Sequence, residues 1–191
     1  MMFGFVLLTI VYFILSNNCT TSEEIKVPKS KYRLAIIILT SPDSMKIRDT
    51  MRKTWLSEAT ENTRHYFAIG TLDLDQEQRE TLHSEQSKFH DLLFLPKLQD
   101  SYGTLTKKVL QSIQRLYDEI EFDYLLKTDD DTFVLLHRML LDLDMWEAKG
   151  LRKELYWGFF NGKAHVKKTG PWKEISWNLC DYYLPYAVGG G

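Results

Sequence analysis

The feature that most constrains the fold is a run of six apolar residues, Leu34-Ala35-Ile36-Ile37-Ile38-Leu39. A strand with one face in water alternates apolar and polar side chains, whereas an unbroken β-branched run indicates a strand buried on both faces. Such strands are typical of parallel sheets that helices cover on both sides. The run ends at Thr40, and Ser41 and Pro42 suit the cap and the first position of a helix.

Strand-like and helix-like segments alternate along the rest of the chain. Short apolar segments bounded by turn residues predict strands at His65–Gly70, Leu92–Leu95 and Phe122–Thr128. Helices are predicted from apolar residues every three or four positions, and from one polar segment. These helices contain Ile47, Met51 and Trp55; the polar segment Asp75–Ser87; Tyr102, Leu105, Val109, Ile113, Leu116 and Ile120; and Leu136, Met139, Leu140, Leu143 and Trp146. The alternation predicts an α/β fold with a mainly parallel sheet flanked by helices.

Three consecutive carboxylates, Asp129, Asp130 and Asp131, follow the predicted strand Phe122–Thr128. Ligands of parallel sheets bind beyond the carboxyl ends of the strands. Adjacent carboxylates raise one another's pKa unless a cation neutralises them, and Mg²⁺ or Mn²⁺ prefers such oxygen ligands. The cluster therefore predicts a metal site. The alternative is an acidic turn that caps the helix beginning near Leu135, although a cap needs one carboxylate and three are present.

Two further segments place cations near the starts of helices. Arg48 and Arg52 lie one turn apart on the first predicted helix, where guanidinium groups suit a diphosphate. The alternative is a solvated basic face on which Arg48 and Arg52 pair with nearby acids. Lys108 lies near the start of the long amphipathic helix, where backbone N–H groups also favour anions. Asp100 or Ser101 in the same segment can serve as a cap for that helix.

Two aromatic segments near the carboxyl end are further candidates. Tyr156-Trp157-Gly158-Phe159-Phe160 reads as a strand, with plain core packing as the alternative to a site. Tyr182, Tyr183 and Tyr186 precede the glycines Gly189–Gly191, which suggests the wall of a sugar site or, alternatively, a tight turn. The five histidines show no metal-ligand spacing.

Composition limits the class of protein. The chain has 191 residues, enough for one domain with a core, and 44% of them are hydrophobic. A net charge of −2 argues against a nucleic-acid partner, which normally selects a basic excess. The two cysteines, Cys19 and Cys180, are too few for a disulfide framework.

The amino-terminal segment predicts entry into the secretory pathway. Residues 1–15 are nearly all apolar, and we interpret them as a signal or signal-anchor segment rather than a buried core helix. Residues 16–30 read as a polar stem, with Asn18 in a glycosylation sequon. Residues 31–191 form the expected folded domain.

Taken in order, the motifs resemble one family, the β-1,3-glycosyltransferases, which is the galactosyltransferase family with the Fringe-type fold. The resemblance covers about Tyr32 to Gly191, and as a set the motifs are highly specific. They are Arg48-x-x-x-Arg52-x-Thr54-Trp55, Asp100-Ser101-Tyr102-x-x-Leu105-Thr106-x-Lys108, Lys127-x-Asp129-Asp130-Asp131-x-Phe133-Val134 and Tyr183-x-Pro185-Tyr186-x-x-Gly189-x-Gly191.

The resemblance implies an A-type glycosyltransferase fold with a Rossmann-like sheet, and a Mn²⁺-dependent, inverting transfer of galactose from UDP-galactose. Within the family, the segments around Tyr156–Phe160 and Leu179–Tyr186 are most similar to the members that add the second galactose of the proteoglycan linker. That similarity implies a galactosyl-xylosyl acceptor on proteoglycan core proteins. It also implies a single-pass type II protein of the Golgi membrane with a lumenal catalytic domain.

The family pattern also implies roles for individual residues. Asp131 is the expected metal ligand, with Asp129 as a second ligand or a contact to the ribose or donor sugar, and Asp130 in support. The candidates for diphosphate or nucleotide contacts are Arg48, Arg52, Lys108 and Lys127, although Lys127 has the alternative role of balancing the acidic cluster.

The chain departs from the family pattern at two places. Thr104 stands before Leu105-Thr106 where the family usually has Asn. The family's acidic Glu-Asp-Val motif and its catalytic carboxylate are expected beyond Gly191, so we expect a C-terminally truncated domain with no nameable catalytic base.

Three alternatives to galactosyl transfer stay open. A UDP-GlcNAc-using enzyme of the same family would share the motifs, and a non-catalytic sugar-binding protein of the secretory pathway would keep the fold. A Mg²⁺-dependent nucleotidyl- or phosphotransferase would also use adjacent aspartates, but no glycine-rich phosphate loop follows Leu39.

Overall fold

The computed structural model describes residues 28–150, 155–170 and 173–188. The predicted signal or signal-anchor segment, most of the predicted stem, Asn18 and the glycines 189–191 lie outside these residues. The first described range forms a four-stranded parallel sheet with flanking helices, as the alternating pattern predicted. The strands are β1 (Ser30–Leu39), β2 (Thr63–Gly70), β3 (Leu92–Leu95) and β4 (Ile120–Asp129), and the helices are α1 (Met45–Lys53), α2 (Gln76–Phe89), α3 (Leu105–Glu119) and α4 (Leu136–Ala148).

The apolar run forms the central strand of the sheet. The strand order is β3-β2-β1-β4, so β1 pairs with β2 on one side and with β4 on the other. Every residue from Leu34 to Leu39 is at most 4% exposed. Leu34, Ile36 and Ile38 pack into one core cluster, while Ala35, Ile37 and Leu39 pack into a second on the opposite face. The prediction of a strand buried on both faces is confirmed.

Helix α1 begins later than the sequence predicted. Its cap is Ser44 and its first residue is Met45, so the predicted start at Ser41-Pro42 is wrong. The carbonyls of Ser41 and Pro42 accept hydrogen bonds from the guanidinium of Arg48, which holds this segment outside the helix.

Two ends of the predicted helices were also misplaced. Trp55 is buried in a separate 3₁₀-helix, Trp55–Glu58, and Ile120 is the first residue of β4 rather than the end of α3.

The three aspartates do not cap the following helix. Helix α4 has Leu135 at its cap position and receives no side-chain hydrogen bond there. Asp130 and Asp131 form a turn in which the amide of Thr132 donates to the carbonyl of Asp129 at 3.3 Å, but this turn does not cap the helix as the alternative expected.

The carboxyl-terminal segment has little regular structure. The predicted strand Tyr156–Phe160 is reduced to β5 (Phe160–Asn161), which pairs antiparallel with β6 (Tyr186–Ala187). A T-shaped contact between the rings of Trp146 and Trp157, 4.6 Å between centroids, packs this segment against α4. Over the described ranges, no helix combines the length and the apolar character that crossing a membrane requires.

Candidate functional site

A pocket of about 580 Å³ opens at the carboxyl ends of the parallel strands. Pockets of a few hundred to a thousand cubic ångströms at this edge are the usual ligand sites of α/β folds. Its walls come from the segments that follow each of the four strands, so the topology alone brings them together. The lining residues are Leu39, Thr40, Ser41, Pro42, Asp43, Ser44, Asp73, Leu74, Gln78, Asp100, Ser101, Tyr102, Leu105, Lys108, Asp129 and Asp130.

Two of the three consecutive aspartates line this pocket. Asp130 accepts a 2.6 Å hydrogen bond from the hydroxyl of Thr40, and its own amide donates to the carbonyl of Leu39 at 3.1 Å. Asp129 is partly buried at the end of β4. Asp131 is exposed, and its Oδ1 lies 3.3 Å from the hydroxyl of Thr132. The predicted metal ligands Asp129 and Asp131 thus differ in burial.

Lys127 is the counter-charge of Asp129. Its Nζ lies 2.7 Å from Asp129 Oδ1, close enough for an ion pair. Asp129 Oδ1 is buried and has this ion pair, but it accepts no hydrogen bond. Lys127 does not line the pocket, which agrees with its alternative role of balancing the acidic cluster.

The fit of these residues to a divalent cation depends on Asp129 Oδ1, which is paired with Lys127 but accepts no hydrogen bond. The described ranges contain no group of three or more His, Cys, Asp or Glu side chains placed to hold a metal by themselves. The pocket edge nevertheless offers one buried carboxylate oxygen that accepts no hydrogen bond and an exposed carboxylate two residues later. Oxygen donors of this kind fit Mg²⁺ or Mn²⁺, which complete their shells with water and substrate phosphates.

Lys108 is a buried cation in the wall of the pocket. Its side chain is 3% exposed, and Nζ donates to both carboxylate oxygens of Asp100 at 2.8 and 2.6 Å and to the carbonyl of Thr40 at 2.6 Å. Burial lowers the pKa of Lys108, and the charges of Asp100 and Asp130 oppose that shift. Because its three donors are occupied, Lys108 acts on a ligand through its charge.

Asp100 also fixes the end of β2. Its Oδ2 accepts a 3.0 Å hydrogen bond from the amide of Gly70. A Cβ at position 70 would lie 2.7 Å from the carbonyl oxygen of Leu98 and 3.0 Å from the amide nitrogen of Asp100. Glycine at this position therefore permits the close backbone approach that carries Asp100 to the pocket.

Arg48 is fully buried behind the pocket. Its Nε and Nη2 donate to the two carboxylate oxygens of Glu85 at 2.9 and 2.7 Å, the bidentate pairing that guanidinium groups favour. Its Nη1 donates to the carbonyl of Ser41 at 2.6 Å, and its Nη2 to that of Pro42 at 3.2 Å. Arg48 does not line the pocket.

Arg52 extends the same ion-pair network away from the pocket. It donates to Glu85 Oε1 at 2.7 Å and to both oxygens of Asp91 at 2.8 Å, and its guanidinium stacks 4.0 Å from the ring centroid of Phe89. Burial works to raise the pKa of Asp91, but hydrogen bonds from His65 and Arg52 outweigh it and lower that pKa to about 2. The arginines pair with acids, as the alternative expected, but they are buried rather than on a solvated face. Neither lines the pocket, so this geometry gives no support to the nucleotide contacts predicted for them, which stay untested.

The aromatic wall predicted from the tyrosines does not form part of this pocket. Tyr183 instead packs on Trp177 and Tyr186, with ring centroids 5.3 and 5.9 Å apart, and Tyr182 stacks on His165.

Sequence reasoning missed Thr40, Gly70, Glu85 and Asp91. Glu85 lies in a helix that reads as polar throughout, and no spacing separates it from its exposed neighbours. Asp91 lies immediately before the predicted strand Leu92–Leu95, a position that usually only marks a turn. Gly70 ends a predicted strand, where a glycine can signal a close backbone approach.

Comparison with known proteins points to one family. A family model described as galactosyltransferase matches residues 46–191. Beta-1,3-galactosyltransferase 6 from Mus musculus is 44% identical over 168 residues, which cover 86% of this chain and 51% of the mouse protein. A hydroxyproline O-galactosyltransferase from Arabidopsis thaliana is 27% identical over 169 residues, covering 86% of this chain and 24% of the plant protein.

A third relative names a different sugar. The UDP-GalNAc:beta-1,3-N-acetylgalactosaminyltransferase 2 of Xenopus tropicalis is 33% identical over 111 residues, covering 58% of this chain and 22% of the frog protein. The chain thus spans about half the length, or less, of these curated relatives.

Proposed function

The chain belongs to the galactosyltransferase family, and we propose that its pocket binds the nucleotide part of UDP-galactose for transfer of galactose to an acceptor hydroxyl. The observation that carries this proposal is the 580 Å³ pocket at the carboxyl ends of all four parallel strands, with Asp129, Asp130 and the buried Lys108 in its wall. The family match covers residues 46–191, which include every segment of the pocket wall after Ser44.

The charge of the pocket supports a requirement for a divalent cation. Across the described lining residues, five carboxylates stand against one ammonium, and that ammonium is already paired with Asp100. A diphosphate in this pocket would face net negative charge, since like charges at short range repel. A hard cation between the carboxylates and the phosphates removes that repulsion. We propose Mn²⁺ in this role, held by Asp131 and by Asp129, whose Oδ1 would exchange its ion pair with Lys127 for the metal.

The pocket residues then have separate tasks. Bound Mn²⁺ would neutralise charge on the departing UDP. Asp130, held by Thr40, supports the acidic cluster, and Lys108 adds a fixed positive charge that water screens little because the side chain is buried. An inverting transfer also needs a base for the acceptor proton. We assign that role to no residue between Pro28 and Val188.

The acceptor and the location of the protein are proposals that rest on resemblance. The similarity to a beta-1,3-galactosyltransferase supports a β-1,3 linkage, and the carboxyl-terminal motifs support a galactosyl-xylosyl acceptor of the proteoglycan linker. We propose a type II protein of the Golgi membrane in which residues 1–15 serve as signal-anchor. An N-acetylated UDP-sugar is the alternative donor, because the frog relative is named for UDP-GalNAc.

Calorimetric titration of UDP into the full chain, purified in mild detergent, tests the donor site. We expect binding that requires Mn²⁺, that Asp131→Ala abolishes, and that Asp118→Ala preserves. Asp118 is the matched control because it is an exposed aspartate on α3 outside the pocket lining. Equal UDP affinity with and without Mn²⁺ would remove the metal assignment. A folded sample, checked by circular dichroism, that binds no UDP would refute the donor site.

Competition separates the alternative functions. Four compounds are added separately to compete with UDP: UDP-galactose, UDP-GlcNAc, UDP-GalNAc and ATP. We expect UDP-galactose to compete best. Preference for an N-acetylated sugar would reassign the donor within the family, and preference for ATP would indicate a nucleotidyl- or phosphotransferase. Glycan binding that is independent of nucleotide would indicate a non-catalytic sugar-binding protein.

A further inference from the structure

The segment that joins β1 to α1 is held by two buried cations. Its residues Thr40, Ser41 and Pro42 all line the pocket, and none of them belongs to a helix or strand. The carbonyl of Thr40 accepts from Lys108 at 2.6 Å, that of Ser41 from Arg48 at 2.6 Å, and that of Pro42 from Arg48 at 3.2 Å. Three successive carbonyls thus accept hydrogen bonds from charged side chains.

These two cations are themselves fixed by acids from other elements. Glu85 of α2 accepts two hydrogen bonds from Arg48, and both side chains are 0% exposed. Asp100, from the connection between β3 and α3, accepts two from Lys108. Helices α1, α2 and α3 therefore all fix the position of this short segment.

Stability alone is a poor reason for such an arrangement. The free energy needed to remove two charges from water is about as large as the free energy gained from their attraction. Well-packed apolar residues can therefore often replace a buried ion pair without loss of stability. What the buried guanidinium provides is geometry, because its planar fork presents donors in fixed directions. The guanidinium group of Arg48 donates at the same time to the carboxylate of Glu85 and to the backbone carbonyls of Ser41 and Pro42.

The contact continues from Arg48 to the acidic cluster. Arg48 Nη1 lies 3.4 Å from the hydroxyl oxygen of Thr40, and that hydroxyl donates to Asp130 Oδ2 at 2.6 Å. One side chain therefore separates Arg48 from a carboxylate in the pocket wall.

We propose that Arg48, supported by Glu85, is a positioning residue of the nucleotide-sugar site. It holds the segment 40–42 in place and, through the Thr40 hydroxyl, orients the carboxylate of Asp130, without touching the ligand. This inference rests on the proposed function for its effect on UDP, but its structural part stands on the contacts above.

Arg52 is the matched control. It lies on the same helix, pairs with the same Glu85 at 2.7 Å and is nearly as buried, with 9% exposure. Its other hydrogen bonds go to Asp91, and it contacts no carbonyl of the segment 40–42. Arg52→Lys and Arg48→Lys therefore make the same chemical change in one ion-pair network, and only the second acts on the pocket segment.

Hydrogen exchange of the unliganded full chain tests the structural part. The reporters are the amides of Ser44, bonded to Ser41, and of Asp130, bonded to Leu39. We expect Arg48→Lys to speed exchange at both by about tenfold relative to amides of the central sheet, the effect of losing roughly one net hydrogen bond. Arg52→Lys should change the two reporters by less than about twofold. Equal acceleration by both variants across the whole fold would overturn the inference.

Titration of UDP in the presence of Mn²⁺ tests the functional part. We expect Arg48→Lys to weaken UDP binding by about tenfold, with Arg52→Lys within about twofold of the unmodified protein. An unchanged affinity in Arg48→Lys, where the unmodified protein binds UDP, would overturn the inference. If the unmodified protein binds no UDP while its exchange pattern is as expected, the proposed function fails and Arg48 still fixes the segment.

A second variant covers the case in which Arg48→Lys does not fold. Thr40→Val leaves both cations in place and removes only the hydroxyl between Arg48 and Asp130. Faster exchange of the Asp130 amide with an unchanged Ser44 amide is expected. No change at Asp130 would contradict the role of Thr40 as the connecting group.

Discussion

The hydroxyl of Thr40 donates a 2.6 Å hydrogen bond to the carboxylate of Asp130, which lies 90 positions later in the chain. The two residues follow neighbouring parallel strands whose register pairs Leu39 with Asp129. The amide of Asp130 also donates to the carbonyl of Leu39, so the ladder between the strands continues one step beyond β4. The sheet itself therefore orients one carboxylate of the acidic cluster.

The Thr40 hydroxyl is expected to matter more than its methyl group. Thr40→Val should lower the free energy of unfolding by about 1.5–3 kcal/mol, because the charged acceptor Asp130 loses its hydrogen bond from the Thr40 hydroxyl. Thr40→Ser keeps the hydroxyl and should retain UDP affinity better than Thr40→Val. The comparison uses urea unfolding, monitored by tryptophan fluorescence, for stability and UDP titration for affinity. Weaker binding in Thr40→Ser than in Thr40→Val would contradict it.

Gly70 is expected to resist substitution. In Gly70→Ala the new Cβ would meet backbone atoms at 2.7 and 3.0 Å, so a strand end or the Asp100 segment has to move. We expect a loss of about 1–3 kcal/mol in the free energy of unfolding. Gly103→Ala is the control, because its Cβ would meet only the Ser101 hydroxyl at 4.0 Å. Equal effects of the two substitutions in urea unfolding would argue against the close approach at Gly70.

Removing the Lys108 charge is expected to destabilise the protein strongly. Lys108→Met leaves the mostly buried Asp100 without its cation, and the loss of one partner of a buried pair costs about 3–5 kcal/mol. The double variant Lys108→Met/Asp100→Asn should recover part of this loss, since Asn is neutral and can still accept from the Gly70 amide. Thermal and urea unfolding provide the measurement.

The control for Lys108 is an exposed ion pair. Lys53→Met removes the partner of Asp49 on the surface of α1, where water screens the charges, and should change stability little. A loss in Lys108→Met no larger than in Lys53→Met would show that the Lys108 pair is not effectively buried.

Asp91 is expected to make stability fall in acid. Its pKa is lowered from 3.8 to about 2 in the folded protein, so the folded state binds this proton less readily than the unfolded chain. The stabilisation is therefore complete above pH 4 and disappears as the pH falls toward 2, and the loss amounts to about 2 kcal/mol. Urea midpoints measured between pH 6 and pH 2.5 should fall more steeply for the unmodified protein than for Asp91→Asn.

Asp49 provides the comparison for Asp91. The hydrogen bond from Lys53 also lowers the pKa of Asp49, but that carboxylate is on the surface, and salt screens the interaction. Asp49→Asn should leave the pH profile nearly unchanged in 0.2 M salt. If the urea midpoint of Asp91→Asn falls with pH as steeply as that of the unmodified protein, other carboxylates cause the loss of stability in acid.

The sequence predicted most of the architecture, and Asp129 and Asp130 lie at the sheet edge where they were expected. The strand Leu92–Leu95 was bounded correctly, and β1, β2 and β4 differ from their predicted ranges only by extension at their ends. The strands β1 and β3 were readable because a strand buried on both faces requires a continuous apolar run. The start of α1 was misread because Ser41 and Pro42 are good local helix-start residues, and nothing local shows that Arg48 binds their carbonyls.

The chain by itself determined the class of sheet, the edge at which Asp129–Asp131 lie, and the motifs of the family. Those properties follow from local patterns of hydrophobicity and from residue order. Only the tertiary structure decided which charges meet, because Arg48 and Glu85 are 37 positions apart and Arg52 and Asp91 are 39 apart. Such pairs depend on strand order and helix packing. They form because a buried charge without a partner would strongly destabilise the fold. The two motif arginines were predicted from the sequence as nucleotide contacts. In the fold Arg48 binds the carbonyls of Ser41 and Pro42, and Arg52 pairs with Glu85 and Asp91.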